Sequence, residues 1–167
     1  AFWVRAIGGA VPGDPATSRL TGTLQDITEL KQVEETLRVQ ARSDPLTGLM
    51  NRDAILGEIS ARLADPGQSR VAVLYIDLDR FKVVNDVLGH NAGDELLMNA
   101  ARRIVRAVGT EGLIARFGGD EFLVVCSTED DEDRPERVAD AILDAFSDSF
   151  RFEKEEFAIT ASIGIAR

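Results

Sequence analysis

Apolar positions along the chain change period several times, and each change marks an element. Phe2-Trp3-Val4-Arg5-Ala6 reads as a strand, and the Gly/Pro/Asp-rich stretch Gly8 to Ser18 as a connection to a second strand, Leu20 to Ile27. Leu30, Val33 and Leu37 then recur at three- and four-residue steps. This predicts a helix capped by Thr28 and running to about Ala41, with a narrow stripe of coiled-coil type, before Asp44-Pro45 breaks it. Asn51 or Asp53 starts the next helix, with Ile55, Leu56, Ile59 and Leu63 on one face; Asp65-Pro66-Gly67 ends it. Val71 to Ile76 is unbroken and apolar, the pattern of a central strand buried on both faces, and it runs into Asp77-Leu78-Asp79.

Arg80 to Leu88 reads as a helix that turns Phe81, Val84 and Leu88 inward and leaves Lys82 and Asn85 on another face, with Gly89 closing it. Gly93-Asp94 opens a longer helix whose buried stripe is Leu97, Ala101, Ile104 and Val108, ended by Gly109. Leu113-Ile114-Ala115 and Phe122 to Cys126 have the length of short buried strands, and Gly118-Gly119 between them predicts a tight turn with positive φ at its centre. Val138, Ile142 and Phe146 form one more helical stripe. Phe157, Ile159, Ala161, Ile163 and Ile165 alternate as one face of a last strand. From residue 71 the order is β-α-α-β-β-α-β, an α+β arrangement with helices packed on an antiparallel-containing sheet.

Composition narrows the class. The chain has 167 residues, enough for one domain with a core plus an appendage; it is 44% hydrophobic and 29% charged, as globular proteins are. It has no apolar run of membrane-spanning length and no signal-peptide shape at its start, so a cytoplasmic setting and no membrane contact are expected for this stretch. The single cysteine, Cys126, excludes an internal disulfide and reads as a small buried hydrophobe. A formal net charge of −10 argues against nucleic acid or an anionic membrane as partner. The acidic run Glu129 to Glu136 reads as a solvated loop.

The chemistry concentrates in Arg116-Phe117-Gly118-Gly119-Asp120-Glu121-Phe122. One acidic pair at a turn is ordinarily just solvated. Here a second acidic site closes the Val71 to Ile76 strand, and if that strand lies beside the hairpin, Asp77 and Asp120 converge. Such oxygen donors suit Mg²⁺ (or Mn²⁺) completed by substrate phosphates.

These residues resemble the GGDEF domain, the diguanylate cyclase family. Gly118-Gly119-Asp120-Glu121-Phe122 matches its signature; Asp44-Pro45-Leu46-Thr47-Gly48-Leu49-Met50-Asn51-Arg52 looks like its opening motif. Tyr75 to Asp86, Leu88-Gly89-His90-Asn91-Ala92-Gly93-Asp94 and Ser162-Ile163-Gly164-Ile165-Ala166 are similar to motifs that follow in order. The resemblance spans Ser43 to Arg167 and implies the fold of nucleotide cyclases and polymerase palms. It implies condensation of two GTP into cyclic di-GMP with loss of pyrophosphate, one GTP per subunit of a dimer. Carried over by position, Asp77, Asp120, Glu121 and the carbonyl of Leu78 would be metal ligands. Asp120, Glu121 and Lys82 would act in catalysis, Asp120 in deprotonating the 3′-hydroxyl and Lys82 in neutralising phosphate charge. Asn85 and Asp94 would read guanine, Gly118 and Gly119 would let the backbone approach the phosphates, and Phe81 and His90 would border the substrate. Phe81 also suits the core, and His90 an ordinary loop hydrogen bond.

Residues 1–27 resemble the last hairpin of a PAS sensor domain, with a generic hairpin as the alternative, and residues 28–42 a dimerising signalling helix, with a surface helix as the alternative. The GGDEF stretch is expected to be residues 43–167 without the family's C-terminal helix, which would weaken GTP turnover. Where many members carry an inhibitory Arg-x-x-Asp motif this chain has Gly109-Thr110-Glu111-Gly112, so no product inhibition is expected there. Arg80 looks like the variant common in proteins with a following EAL phosphodiesterase domain. A GTP-binding regulatory module is therefore the alternative to a cyclase. A scaffold acting through the 28–42 helix would have no need of Asp77, Asp120 and Glu121 together.

Overall fold

A computed structural model describes residues 2–11, 19–65, 70–152 and 155–167. The chain forms two compact units, Ala1–Ala41 and Arg42–Arg167. In the first, β1 (Val4–Val11) and β2 (Arg19–Asp26) pair antiparallel from Val4↔Asp26 to Val11↔Arg19. β1 runs further than the expected Phe2 to Ala6 because each residue to Val11 finds a ladder partner; residues 12–18 of the expected connection lie outside the described residues. The helix α1 (Thr28–Arg42) follows. The helix starts at Thr28 itself, with the Ile27 carbonyl accepting the Lys31 N–H at 3.0 Å. The Asp26 carboxylate accepts the Thr28 N–H at 2.9 Å, and the Thr28 hydroxyl accepts the Trp3 N–H at 3.0 Å. Leu30 and Val33 of the expected stripe are exposed, while the Leu37 side chain falls outside the described ones.

The second unit is built on a four-stranded antiparallel sheet ordered β4-β5-β3-β8, with β3 (Val71–Leu78) flanked by β5 (Glu121–Ser127) and β8 (Ala161–Ala166), and β4 (Leu113–Gly118) outside β5. Period two splits β3 between two cores. Ala72, Leu74, Ile76 and Leu78 pack with Phe122, Val124 and Cys126 against α3 (Phe81–Leu88), α4 (His90–Val108) and α5 (Arg134–Ala145). On the other face Val71 and Val73 join Ala115, Leu123 and Val125 under Ile55 of α2 (Arg52–Ala64). That smaller core stops short of the strand end, so Tyr75 is exposed and Asp77 half-buried. The sheet is the α+β fold expected, with the central apolar strand in the predicted place.

Several boundaries differ from expectation for local reasons. The turn between β4 and β5 is Gly119-Asp120, since Gly118 pairs with Glu121, and neither Gly118 nor Gly119 has positive φ. A register shift at Phe117 absorbs the extra residue as a bulge. α4 begins at His90, not at Gly93: Gly89 at φ 85° ends α3 and reverses the chain in a single residue. Asn51 caps α2 by accepting the Ala54 N–H at 3.0 Å. Leu56 and Leu63 of α2 are exposed, because only Ala54 and Ile55 reach the sheet fully. The acidic loop is shorter than expected, since α5 starts at Arg134 with Pro135 in its first turn. The expected last strand is broken. Phe157 belongs to a short hairpin of β6 (Phe150–Phe152) and β7 (Glu155–Phe157), and β8 starts at Ala161, opposite Leu78, where β3 runs out of partners.

Candidate functional site

The sheet register places the acidic groups. Asp77, near the end of β3, is directly opposite Glu121 of β5 and Ser162 of β8, and the Leu78 N–H donates to the Asp120 carbonyl at 3.3 Å. Asp77, Asp120 and Glu121 thus gather at one end of the sheet. Burial pushes the Asp77 carboxyl above the usual range, and the charges of Asp120, Glu121 and Asp79 push the same way. Among the described residues none of Asp77, Asp120 and Glu121 has a cationic side chain within 4.0 Å. Asp79 is tied elsewhere: its carboxylate accepts from the Thr160 hydroxyl at 2.5 Å and the Ser162 hydroxyl at 2.8 Å, which hold it below the usual range.

This is an excess of negative charge facing solvent, made of oxygen donors only, the donor set of a hard divalent cation. No three acidic, histidine or cysteine side chains among the described residues converge as a finished cage. The residues fit a cation that keeps waters and takes further oxygens from a phosphate. Gly118 supplies room at the same place, since a Cβ there would sit 3.1 Å from the Glu121 Oε2.

Arg116 fixes the turn. Its Nε and Nη2 donate to the Gly119 carbonyl at 3.0 and 2.8 Å, and its Nη1 reaches Asp44 at 3.2 Å. Asp44 in turn accepts the N–H and the hydroxyl of Thr47 at 2.8 and 2.7 Å. Burial alone would raise the Asp44 carboxyl, but the Thr47 hydrogen bonds and the Arg116 guanidinium hold it below the usual range. The opening Asp-Pro-Leu-Thr stretch therefore serves as a brace for the Gly119-Asp120 turn.

A second group of predicted residues lies at the crossing of α3 and α4. A Cβ on Gly93 would fall 1.9 Å from the Asn85 Oδ1 and 3.3 Å from the Phe81 ring, so the absence of a side chain there is what seats Asn85 against α4, one residue from Asp94. Phe81 is buried and belongs to the core. Lys82, His90 and Asp94 are exposed, and among the described residues no ion pair draws Lys82 toward the acidic cluster. Asp77, Asp120 and Glu121 are brought together; Lys82 and His90 are not joined to them.

Sequence reasoning passed over three residues on the open face of the sheet. Glu121, the diagonal neighbour of Tyr75 across the ladder, pushes the Tyr75 phenol up to about 12, with burial and the charge of Asp77 acting the same way. The Tyr75 ring meets Phe117 edge-on at 5.9 Å, and the Arg52 guanidinium lies 4.7 Å over Phe117. The available signal was period two along β3, which puts Tyr75 on the face of Asp77.

Residues 41–167 match the family model described as diguanylate cyclase, GGDEF domain. The chain belongs to the GGDEF domain family. It is 40% identical over 140 residues to the diguanylate cyclase TpbB of Pseudomonas aeruginosa, covering 82% of this chain and 32% of that protein. It is 39% identical over 141 residues to the cyclic di-GMP phosphodiesterase PdeR of Escherichia coli, covering 84% of this chain and 21% of that protein. The chain thus spans about a fifth to a third of the length of these relatives. Among solved structures, the coiled coil and GGDEF domain of DgcB from Caulobacter crescentus in complex with c-di-GMP superposes with a TM-score of 0.75 at 28% identity, over 83% of this chain and 75% of that one. GGDEF cyclases as a family generally depend on divalent metals. Among the described residues no helix is long and apolar enough to cross a membrane.

Proposed function

We propose that this GGDEF domain is a diguanylate cyclase, condensing two GTP into cyclic di-GMP and pyrophosphate with one nucleotide per subunit of a dimer. The observation that carries the reading is the uncompensated cluster of Asp77, Asp120 and Glu121, braced through Asp44, Arg116 and the Gly119 carbonyl. Asp77, Asp120, the Leu78 carbonyl and Glu121 would hold Mg²⁺ or Mn²⁺, which when bound supplies charge neutralisation for phosphoryl transfer. Asp120, with Glu121 beside it, would take the proton of the attacking 3′-hydroxyl. Lys82, exposed on α3, would reach the nucleotide phosphates. Asn85 and Asp94 would read the guanine edge, where a carboxylate pairs with the N1–H and N2–H₂ donors that adenine cannot match. Gly118 and Gly119 would give phosphate access to the turn, with Phe81 and His90 at the border of the nucleotide.

Residues 1–27 are read as the closing hairpin of a PAS-like sensor, residues 28–42 as a dimerising helix and residues 43–167 as the output domain. The exposed Ile7 and Leu24 support a hairpin that belongs to a larger sheet, and the exposed Leu30 and Val33 support a helix with a partner. A second reading, a GTP-binding regulatory domain for an adjacent EAL phosphodiesterase, is favoured by the glycines at 109 and 112 and by the likeness to PdeR. The longer parent protein, incubated with GTP and Mg²⁺ while Ca²⁺ blocks phosphodiesterase activity, tests the first reading. Cyclic di-GMP that vanishes in Asp120→Ala supports it. No product, with GTP binding retained, moves the domain to the regulatory reading.

A further inference from the structure

We propose that Asp79 is a positioning residue and not a metal ligand: clamped to β8, it fixes the Leu78–Asp79 peptide group so that the Leu78 carbonyl faces the side of Asp120. This role rests on the metal reading above and belongs to a residue which that reading leaves out.

In the sequence, Asp77-Leu78-Asp79 offers two carboxylates two positions apart, and on a regular strand both would share a face. The structure gives them different partners. β3 ends at Leu78, opposite Ala161, and Asp79 leads into the turn before α3. The Asp79 carboxylate accepts from the hydroxyls of Thr160 and Ser162, the residues on either side of Ala161, at 2.5 and 2.8 Å. The Asp79 N–H donates to the Thr160 carbonyl at 2.9 Å. Backbone and side chain of one residue thus carry the β3–β8 pairing past its last ladder pair, and both carboxylate oxygens are engaged by β8.

The clamp acts on the peptide group that precedes it. In a trans peptide group the C=O and the N–H point in opposite directions. With the Asp79 N–H turned to β8, the Leu78 carbonyl is turned away from β8. That is the side on which the Leu78 N–H meets the Asp120 carbonyl at 3.3 Å. Immediately after the clamp the chain takes a left-handed step at Arg80, φ 61°, and enters α3. A non-glycine residue keeps such a conformation only where its surroundings over-determine it. Here Asp79 is tied down on one side of Arg80, and Phe81 is buried in the core on the other. Without the clamp, residues 78–80 gain freedom that a bound cation must first remove. Outer hydrogen bonds that orient metal ligands typically change metal affinity by about 10–100-fold.

A ligand and a clamp give opposite results when the two hydroxyls are removed and the carboxylate is left in place. Thr160 and Ser162 are both exposed, so their substitution leaves the core intact. Mn²⁺ is titrated into the full chain without nucleotide, free Mn²⁺ is followed by electron paramagnetic resonance, and each variant is melted in parallel. Thr160→Val combined with Ser162→Ala is expected to bind Mn²⁺ about tenfold more weakly than wild type. Asp79→Ala is expected to lose as much, and all three substitutions together to lose no more. Thr160→Ser, which keeps the hydroxyl, is expected to keep wild-type affinity; Thr160→Val alone is expected to weaken binding, which keeps the test open if a larger change costs the fold. Wild-type or tighter Mn²⁺ binding in the hydroxyl variants, with a loss confined to Asp79→Ala, makes Asp79 a ligand and overturns the proposal. Variants that melt earlier yet bind Mn²⁺ as wild type does overturn it too, since Asp79 then serves stability alone. If the wild-type chain binds no Mn²⁺, the metal reading fails first and takes this proposal with it.

Discussion

Asp44 and Arg116 are each mostly covered, and Arg116 also carries the Gly119 carbonyl, so removing the guanidinium leaves two acceptors short. Arg116→Ala is expected to cost about 1–3 kcal/mol in urea denaturation, and to lower activity further by loosening the turn that presents Asp120. Because the Asp44 carboxyl is held low in the fold, its stabilisation is present at neutral pH, above the unfolded value, and is lost as pH falls through the folded value. Asp77 has the opposite sign. Its folded pKa is raised, so its favourable contribution exists only below the unfolded value and is gone once pH rises through the folded one. In metal-free buffer at neutral pH, Asp77→Asn is therefore expected to raise the melting temperature by about 2–4 °C per kcal/mol relieved, and to abolish metal-dependent nucleotide chemistry. A lower melting temperature would contradict the repulsion assigned to the cluster. Asp77 and Asp120 were legible because an acidic end on an unbroken apolar run has no packing explanation. Tyr75 and Phe117 were not, since an aromatic beside such a run is indistinguishable in sequence from core.

Gly93 is where α3 and α4 touch, and a methyl group there collides with the Asn85 side chain. Gly93→Ala is expected to weaken GTP binding more than it lowers the melting temperature, since Asn85 must turn away from the site; calorimetry beside a thermal melt checks this. Arg80, between the acidic strand end and α3, is the one non-glycine residue with positive φ among those described, at φ 61° and ψ 19°. A left-handed backbone costs a non-glycine residue about 1–2 kcal/mol, so Arg80→Gly is expected to be neutral or stabilising despite the freer unfolded chain, as read from urea midpoints. The order of elements in the second unit was readable from periodicity, apart from the small β6-β7 hairpin. Turn geometry was not. Gly118-Gly119 looks like a positive-φ pair, yet the Phe117 bulge shifts the turn by one residue, and a bulge leaves no mark on hydrophobic period. The α2 face was read too wide, because the pattern of Leu56 and Leu63 cannot say how far the opposing sheet extends.

For the whole molecule, the absence of an inhibitory arginine at position 109 is reinforced by geometry. Gly109 sits at φ 54° and ψ −118°, a conformation that disfavours any side chain, and a Cβ on Gly112 would meet the Val125 carbonyl at 2.9 Å. Cyclic di-GMP is therefore expected to bind this surface weakly. Gly109→Arg combined with Gly112→Asp is expected to destabilise the fold rather than create the site; a product titration by calorimetry, beside a thermal melt, checks both. The central requirement is that GTP enters through a cation held by Asp77 and Asp120, whether the domain turns it over or only senses it. The direct measurement is a calorimetric titration of GTP into the longer parent protein with Mg²⁺ and again with EDTA, repeated for Asp77→Asn. Binding that needs Mg²⁺ and is lost in the variant is the predicted result. GTP binding that persists unchanged in EDTA, or survives Asp77→Asn at full affinity, would contradict it.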